Sequence, residues 1–168
     1  MTTHDFAAKD DGSSSSLKDH RVDRFILFPQ YWNSFKSPIR LAWARVKLDK
    51  GEEYSVPDDK RGVYTFIAEP NIESFPPCHY PLYVGKVETS DFRTRFRSYL
   101  DEPKKHKARA HIQSMIRRWK SHLWFYYCSL PADIKVSDIE DDLIIALLPP
   151  MNRQFPAKIT KLMALTFS

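Results

Sequence analysis

Two short runs most constrain what this chain can fold into: GVYTFIAE at residues 62–69 and LYVGKVE at residues 82–88, separated by the Pro-rich insertion NIESFPPCHYP. Both are rich in aromatic and β-branched residues, which suit a pleated, half-buried surface, so they are expected to pair as strands. A third run, LWFYYCSL at residues 123–130, reads as a largely buried strand. Between and after them the spacing turns helical. Phe92, Phe96 and Leu100 recur at i, i+4, i+8, which predicts a helix from Asp91 to about Leu100 capped by Ser90. Ile112, Met115, Ile116 and Trp119 form the stripe of a second helix. A third helix is expected from Ser137 to the Pro149-Pro150 pair, because proline cannot continue a helix. The fold class expected is α/β, a small three-stranded antiparallel sheet flanked by helices, with an N-terminal extension.

The 168 residues suffice for one hydrophobic core and are too few for two ordinary domains. Residues 1–20, polar with a four-serine run, read as a disordered tail. Residues 21–60 read as an extension that must pack on the core, since Phe25, Ile26, Phe28, Tyr31, Trp32, Leu41 and Trp43 need cover, although Pro29 and Pro38 leave its secondary structure unspecified. Residues 61–155 make the core domain and residues 156–168 a C-terminal segment. A net charge of +5 favours polyanionic partners. Cys78 and Cys128 form no CxxC, so neither a disulfide framework nor a cysteine zinc site is expected, and a reducing, cytoplasmic setting follows. The N-terminus has no apolar core of a leader, and the longest apolar stretch, residues 143–150, is too short to span a bilayer, so no membrane partner is expected.

Glu140, Leu143, Ile144 and Leu147 share one helical face, while Asp138, Asp141 and Asp142 fall on the other. A carboxylate in an apolar stripe must be paired, hydrogen-bonded or metal-bound. The sequence also offers a plain alternative, because Ser137-Asp138-Ile139-Glu140 fits a capping box in which Glu140 only reaches back to the Ser137 amide. Tyr64 and Tyr83 follow the strand alternation and are expected on one sheet face. Arg95 and Tyr99 stand i, i+4 at the edge of their helix stripe, near that sheet. From Glu102 to Asp133 there is no acid, while Lys104, Lys105, Lys107, Arg109, Arg117, Arg118 and Lys120 supply cations suited to a phosphate backbone; the plain alternative is a solvated helix face. Of the histidines in this run, His106 is best placed to assist chemistry, though such a residue is more often structural.

Gly62-Val63-Tyr64 and Tyr83-Val84-Gly85 resemble the two name-giving triplets of the GIY-YIG nuclease family, in the right order. The likeness continues over about ninety residues: Tyr83-Val84-Gly85-Lys86 is followed by a helix segment whose arginine is best placed at Arg95, and Glu140 is followed by Leu143-Ile144, Pro149 and Asn152. The triplets are separated by eighteen positions, residues 65–82, which is closer to restriction-type members than to excision-repair subunits.

This resemblance implies a phosphodiester hydrolase using one divalent cation, Mg²⁺ or alternatively Mn²⁺, with Glu140 as its only protein ligand. It implies Tyr64 as general base, its phenol lowered by Lys86 and the metal, and Arg95 stabilising charge at phosphorus. Tyr83 and Tyr99 would hydrogen-bond water or phosphate, and Asn152 would order the site. The expected partner is DNA. The enzyme is either restriction-like, for which a homodimer is natural, or a nicking, structure-selective nuclease. The competing expectation is a non-catalytic nucleic-acid-binding module with the same fold.

Overall fold

The computed structural model describes residues 25–58, 61–107, 109–157 and 159. The expected disordered tail, residues 1–20, and most of the expected C-terminal segment lie outside the described residues. In chain order the elements are α1 (Pro29–Ser34), β1 (Ala44–Lys47), β2 (Gly62–Ala68), β3 (Tyr80–Val87), α2 (Phe92–Asp101), α3 (Ala110–Trp119), β4 (Leu123–Ser129) and α4 (Val136–Leu147). The strands form one antiparallel sheet in the order β1-β4-β2-β3. The sheet therefore has four strands rather than three. The additional strand comes from the N-terminal extension, where Ala44–Lys47 pairs with Trp124–Tyr127 of β4. These four residues, Ala-Arg-Val-Lys, alternate apolar and charged side chains, and an already buried strand offers them a ladder.

Strand alternation sorts the core into two layers. On one face Tyr64 and Phe66 of β2 and Phe125 of β4 meet Phe92, Phe96 and Tyr99 of α2 and Ile112 and Met115 of α3. On the other face Val63, Val84 and Cys128 meet Val136, Ile139, Leu143 and Ile144 of α4, with Phe35, Ile39 and Leu41 of the extension covering them. Two glycines permit close packing. A Cβ at Gly62 would stand 2.0 Å from the Cys128 carbonyl oxygen, and one at Gly85 would stand 2.5 Å from the Tyr64 hydroxyl. Neither position has room for a side chain unless the backbone or Tyr64 moves.

Two caps differ from expectation. Asp91, not Ser90, caps α2: its Oδ1 accepts from the Thr94 amide at 2.6 Å and its Oδ2 from the Thr94 hydroxyl at 2.8 Å. The capping box on α4 does not form, because the helix starts one residue earlier, after Lys135, with no side-chain cap bond, and Glu140 has another partner. α4 ends at Leu148, buried in left-handed conformation at φ 44° immediately before Pro149. This tight reversal returns the chain to the rim of the sheet, where Met151 donates its amide to the Leu82 carbonyl at 2.9 Å.

Candidate active site

Tyr64 is 2 % exposed, and its hydroxyl lies 2.8 Å from that of fully buried Tyr99. Tyr83 completes a ring cluster, 6.3 Å from both the Tyr64 and the Tyr99 centroids. The expectation that Tyr64 and Tyr83 share a sheet face agrees with this packing. Burial first, and then the Tyr99 and Tyr83 hydroxyls, push the Tyr64 phenol well above its ordinary value, while Arg95 pulls it the other way. Burial, reinforced by Tyr99, raises Tyr83 as well. The Nε of Arg95 is buried and has no hydrogen-bond partner among the described residues.

Lys86 lies on the opposite face. β3 alternates, so Tyr83 and Gly85 point toward α2 while Val84 and Lys86 point toward α4. Lys86 Nζ pairs with Glu140 at 3.2 Å and with Glu88 at 3.6 Å. The expected action of Lys86 on Tyr64 is thereby corrected: the cation beside the Tyr64 phenol is Arg95, and Lys86 serves Glu140 instead. Burial raises the Glu140 carboxyl above the usual carboxylate range, with Lys86 pulling it down. Its side chain is 16 % exposed, a half-satisfied carboxylate opening outward.

The two faces meet around β3, the outer strand. Asn152, 9 % exposed, accepts from the Val84 amide through Oδ1 and donates to the Val84 carbonyl through Nδ2, both at 2.9 Å. The side chain thus pairs with the strand as a neighbouring peptide would. Beside it opens a cavity of about 500 Å³ whose lining includes Tyr83, Glu140 and Asn152. Tyr64, Tyr99 and Arg95 are not among its lining residues; the Tyr64 and Tyr99 rings pack against Tyr83.

The run of cations does not form one stripe. Arg109 lines the Glu140 cavity together with His111, another histidine of that run, and Arg153, which no motif in the sequence marks; His106 is exposed and not among the lining residues. Lys104, Arg117 and Lys120 surround a separate hollow with Leu48, Lys50, Leu100 and Ile116. Arg118 bonds Ser114 Oγ at 2.6 Å, Lys107 is exposed, and Lys105 pairs with Glu102 at 3.0 Å. Glu102, which the sequence presents only as the boundary of an acid-free run, is a buried charged residue at 3 % exposure. It binds Arg109 twice, through the amide at 3.1 Å and through Nε at 3.0 Å. Only the folded chain reveals this signal, since the two residues are seven apart across a turn.

Among the described residues no group of three or more His, Cys, Asp or Glu side chains is arranged to hold a metal. Glu140, with its neighbour Asp141, lines a roomy cavity, a sparse oxygen donor set that suits a hard divalent ion retaining most of its waters and does not suit zinc. Among the described residues no helix is long and apolar enough to cross a membrane. No family model matches the chain, and neither a curated protein nor a solved structure does.

Proposed function

We propose that this chain is a metal-dependent DNA endonuclease of the GIY-YIG type, hydrolysing phosphodiester bonds at the cavity beside β3. One observation carries the reading: Tyr83, Glu140 and Asn152, from three separate segments, line one cavity, with the Tyr64–Tyr99 pair packed against Tyr83 and Arg95 felt by the Tyr64 phenol. Core packing alone gives no reason for these residues to gather where a carboxylate is left half-satisfied.

Glu140 would hold the cation, Mg²⁺ or Mn²⁺, and Lys86 keeps the carboxylate oriented at 3.2 Å. The bound cation would neutralise charge on the phosphate and leaving oxygens. Arg95, whose buried Nε has no partner among the described residues, would be the donor for the oxygens of a phosphorane. Hydrolysis forms a bond from water oxygen to phosphorus and breaks the bond to the leaving oxygen, with the water proton passing to the Tyr64 phenolate. In the resting protein Tyr64 is a buried neutral phenol, so it serves as base only once cationic charge arriving beside it has released its own proton to solvent. Asn152 fixes the rim of the cavity to Val84 and takes no part in proton transfer.

The test is incubation of wild type and Glu140→Ala with supercoiled plasmid at low salt, in Mg²⁺ and in EDTA. Cutting by wild type that requires Mg²⁺ and is lost in the variant is expected. Products formed in EDTA, or equal cutting by the variant, would reject the mechanism. Binding without cutting would favour a non-catalytic module. Tyr64→Phe is expected to abolish single-turnover cleavage, and unchanged rates at every pH would remove Tyr64 as base.

A further inference from the structure

The Glu140 cavity has two chemically distinct sides. α4 contributes the acids Glu140 and Asp141, while the start of α3 contributes Arg109 and His111 and the segment after α4 contributes Arg153. Acids that hold a cation account for one side. The cationic side is left over, and nothing in the proposed chemistry uses it.

It is also built rather than incidental. Arg109 is fixed by Glu102, whose side chain is 4 % exposed and receives both the Arg109 amide and Nε. Its guanidinium carbon sits 5.1 Å from the Tyr99 ring centre, so a second contact restrains the same group. A surface arginine used only for solubility has no need of a buried carboxylate to aim it. Arg153 follows directly on Asn152, whose side chain is clamped to β3, and it makes no hydrogen bond or ion pair among the described residues. His111 lines the same cavity: burial, then Arg153 and Arg109, lower its imidazole below the ordinary value. An imidazole that feels two guanidinium groups at once places all three within electrostatic reach of one another.

We infer that Arg109, His111 and Arg153 form a phosphate-binding subsite in the Glu140 cavity, distinct from the position served by Arg95, which takes a phosphate neighbouring the one that is cut. Glu102 is its positioning residue. The inference rests on the nuclease reading for the identity of the ligand, and on the cavity itself for the existence of the site. A nucleic-acid strand presents phosphates one nucleotide apart, so holding a second one fixes the register of the first.

The test uses the full chain and two small probes, deoxythymidine 3′,5′-bisphosphate and deoxythymidine 5′-monophosphate, with affinities measured by calorimetry in Mg²⁺. Wild type is expected to prefer the bisphosphate by about tenfold. Arg153→Ala, at an exposed position that threatens no packing, and Arg109→Lys are expected to reduce that preference below about twofold. Lys36→Ala, an exposed cation outside the cavity lining, keeps it. On oligonucleotide substrates Arg153→Ala is expected to raise KM several-fold with kcat within about twofold. A wild type with no preference, or variants that retain it, would overturn the subsite. Plasmid cutting measured in parallel separates the two readings. A preference lost in the variants while wild type cuts nothing supports the subsite and rejects the nuclease, whereas cutting with an unaltered preference rejects the subsite alone.

Discussion

Glu102 and Glu140 are both acids drawn into the protein beside cations, yet they have opposite fates. Glu102 takes three hydrogen bonds, from Lys105 Nζ at 3.0 Å, the Arg109 amide at 3.1 Å and Arg109 Nε at 3.0 Å. Burial works against its charge, but these donors win and hold the carboxyl down at about 2. Glu140 is the more exposed of the two, at 16 % against 4 % for the side chains, and among the described residues has the single cation Lys86 at 3.2 Å. There burial wins, and the carboxyl is raised. The number of donors separates the two: a saturated acid is structure, and a half-served one beside a cavity keeps capacity for a ligand.

The largest expected effect belongs to the half-served acid. Glu140→Gln should lower plasmid cleavage about 10³-fold, about 4 kcal/mol of transition-state stabilisation, while the thermal midpoint stays level or rises. A loss of stability with intact cleavage would invert the contrast between the two glutamates. Next comes Glu102→Gln, measured by urea denaturation. A depression from 4.5 to about 2 sets an upper bound near 3 kcal/mol, and solvent around Lys105 and Arg109 brings the expected cost at pH 7 to about 2 kcal/mol.

The pH dependence of stability separates the pair by sign. The folded-state carboxyl of Glu102 is depressed, so its contribution is complete above pH 4.5 and is lost as pH falls toward about 2. That of Glu140 is raised, so stability declines as pH climbs through the carboxylate range. Denaturation from pH 7 to pH 3 should therefore show a shallower acid loss in Glu102→Gln and a steeper one in Glu140→Gln than in wild type. Lys86→Met should come next, at about tenfold in cleavage or about 1.4 kcal/mol, with the rising limb of the pH–rate profile moved to higher pH because Glu140 has lost its cation. A profile that keeps its shape would show that Lys86 does not control Glu140. Smallest is Lys105→Ala, about 0.5 kcal/mol of stability, since Arg109 continues to hold Glu102.

Features set by local spacing were legible in the sequence, and those set by long-range partners were not. The stripe of Phe92 and Phe96 located α2, and the proline pair located the end of α4, because both act within a turn or two. Ala44–Lys47 alternates apolar and charged residues, but four positions are too short a run to mark a strand, and its form is fixed by β4, about eighty residues later. At the site, the shared face of Tyr64 and Tyr83 followed from alternation. The same alternation separates Lys86 from Tyr64, a consequence that the reading of Lys86 as a neighbour of the phenol overlooked. Ser137 and Glu140 had the spacing of a cap, but Lys86, fifty-four residues earlier, provides the carboxylate with a charged partner instead. Arg109 looked like one of seven equal cations until its contact with Glu102 set it apart.

The pairing of Met151 and Asn152 with Leu82 and Val84 has a bearing on assembly as well. An unguarded outer strand is an invitation to a strand from another molecule, and through it to aggregation or to a continuous intermolecular sheet. Here the outward peptide groups of β3 at Val84 and the carbonyl of Leu82 are already engaged by the chain's own return. The opposite rim is β1, only four residues long and carrying Arg45 and Lys47. Any second copy of this chain would thus be steered away from joining sheets at β3 and toward helix and loop surfaces.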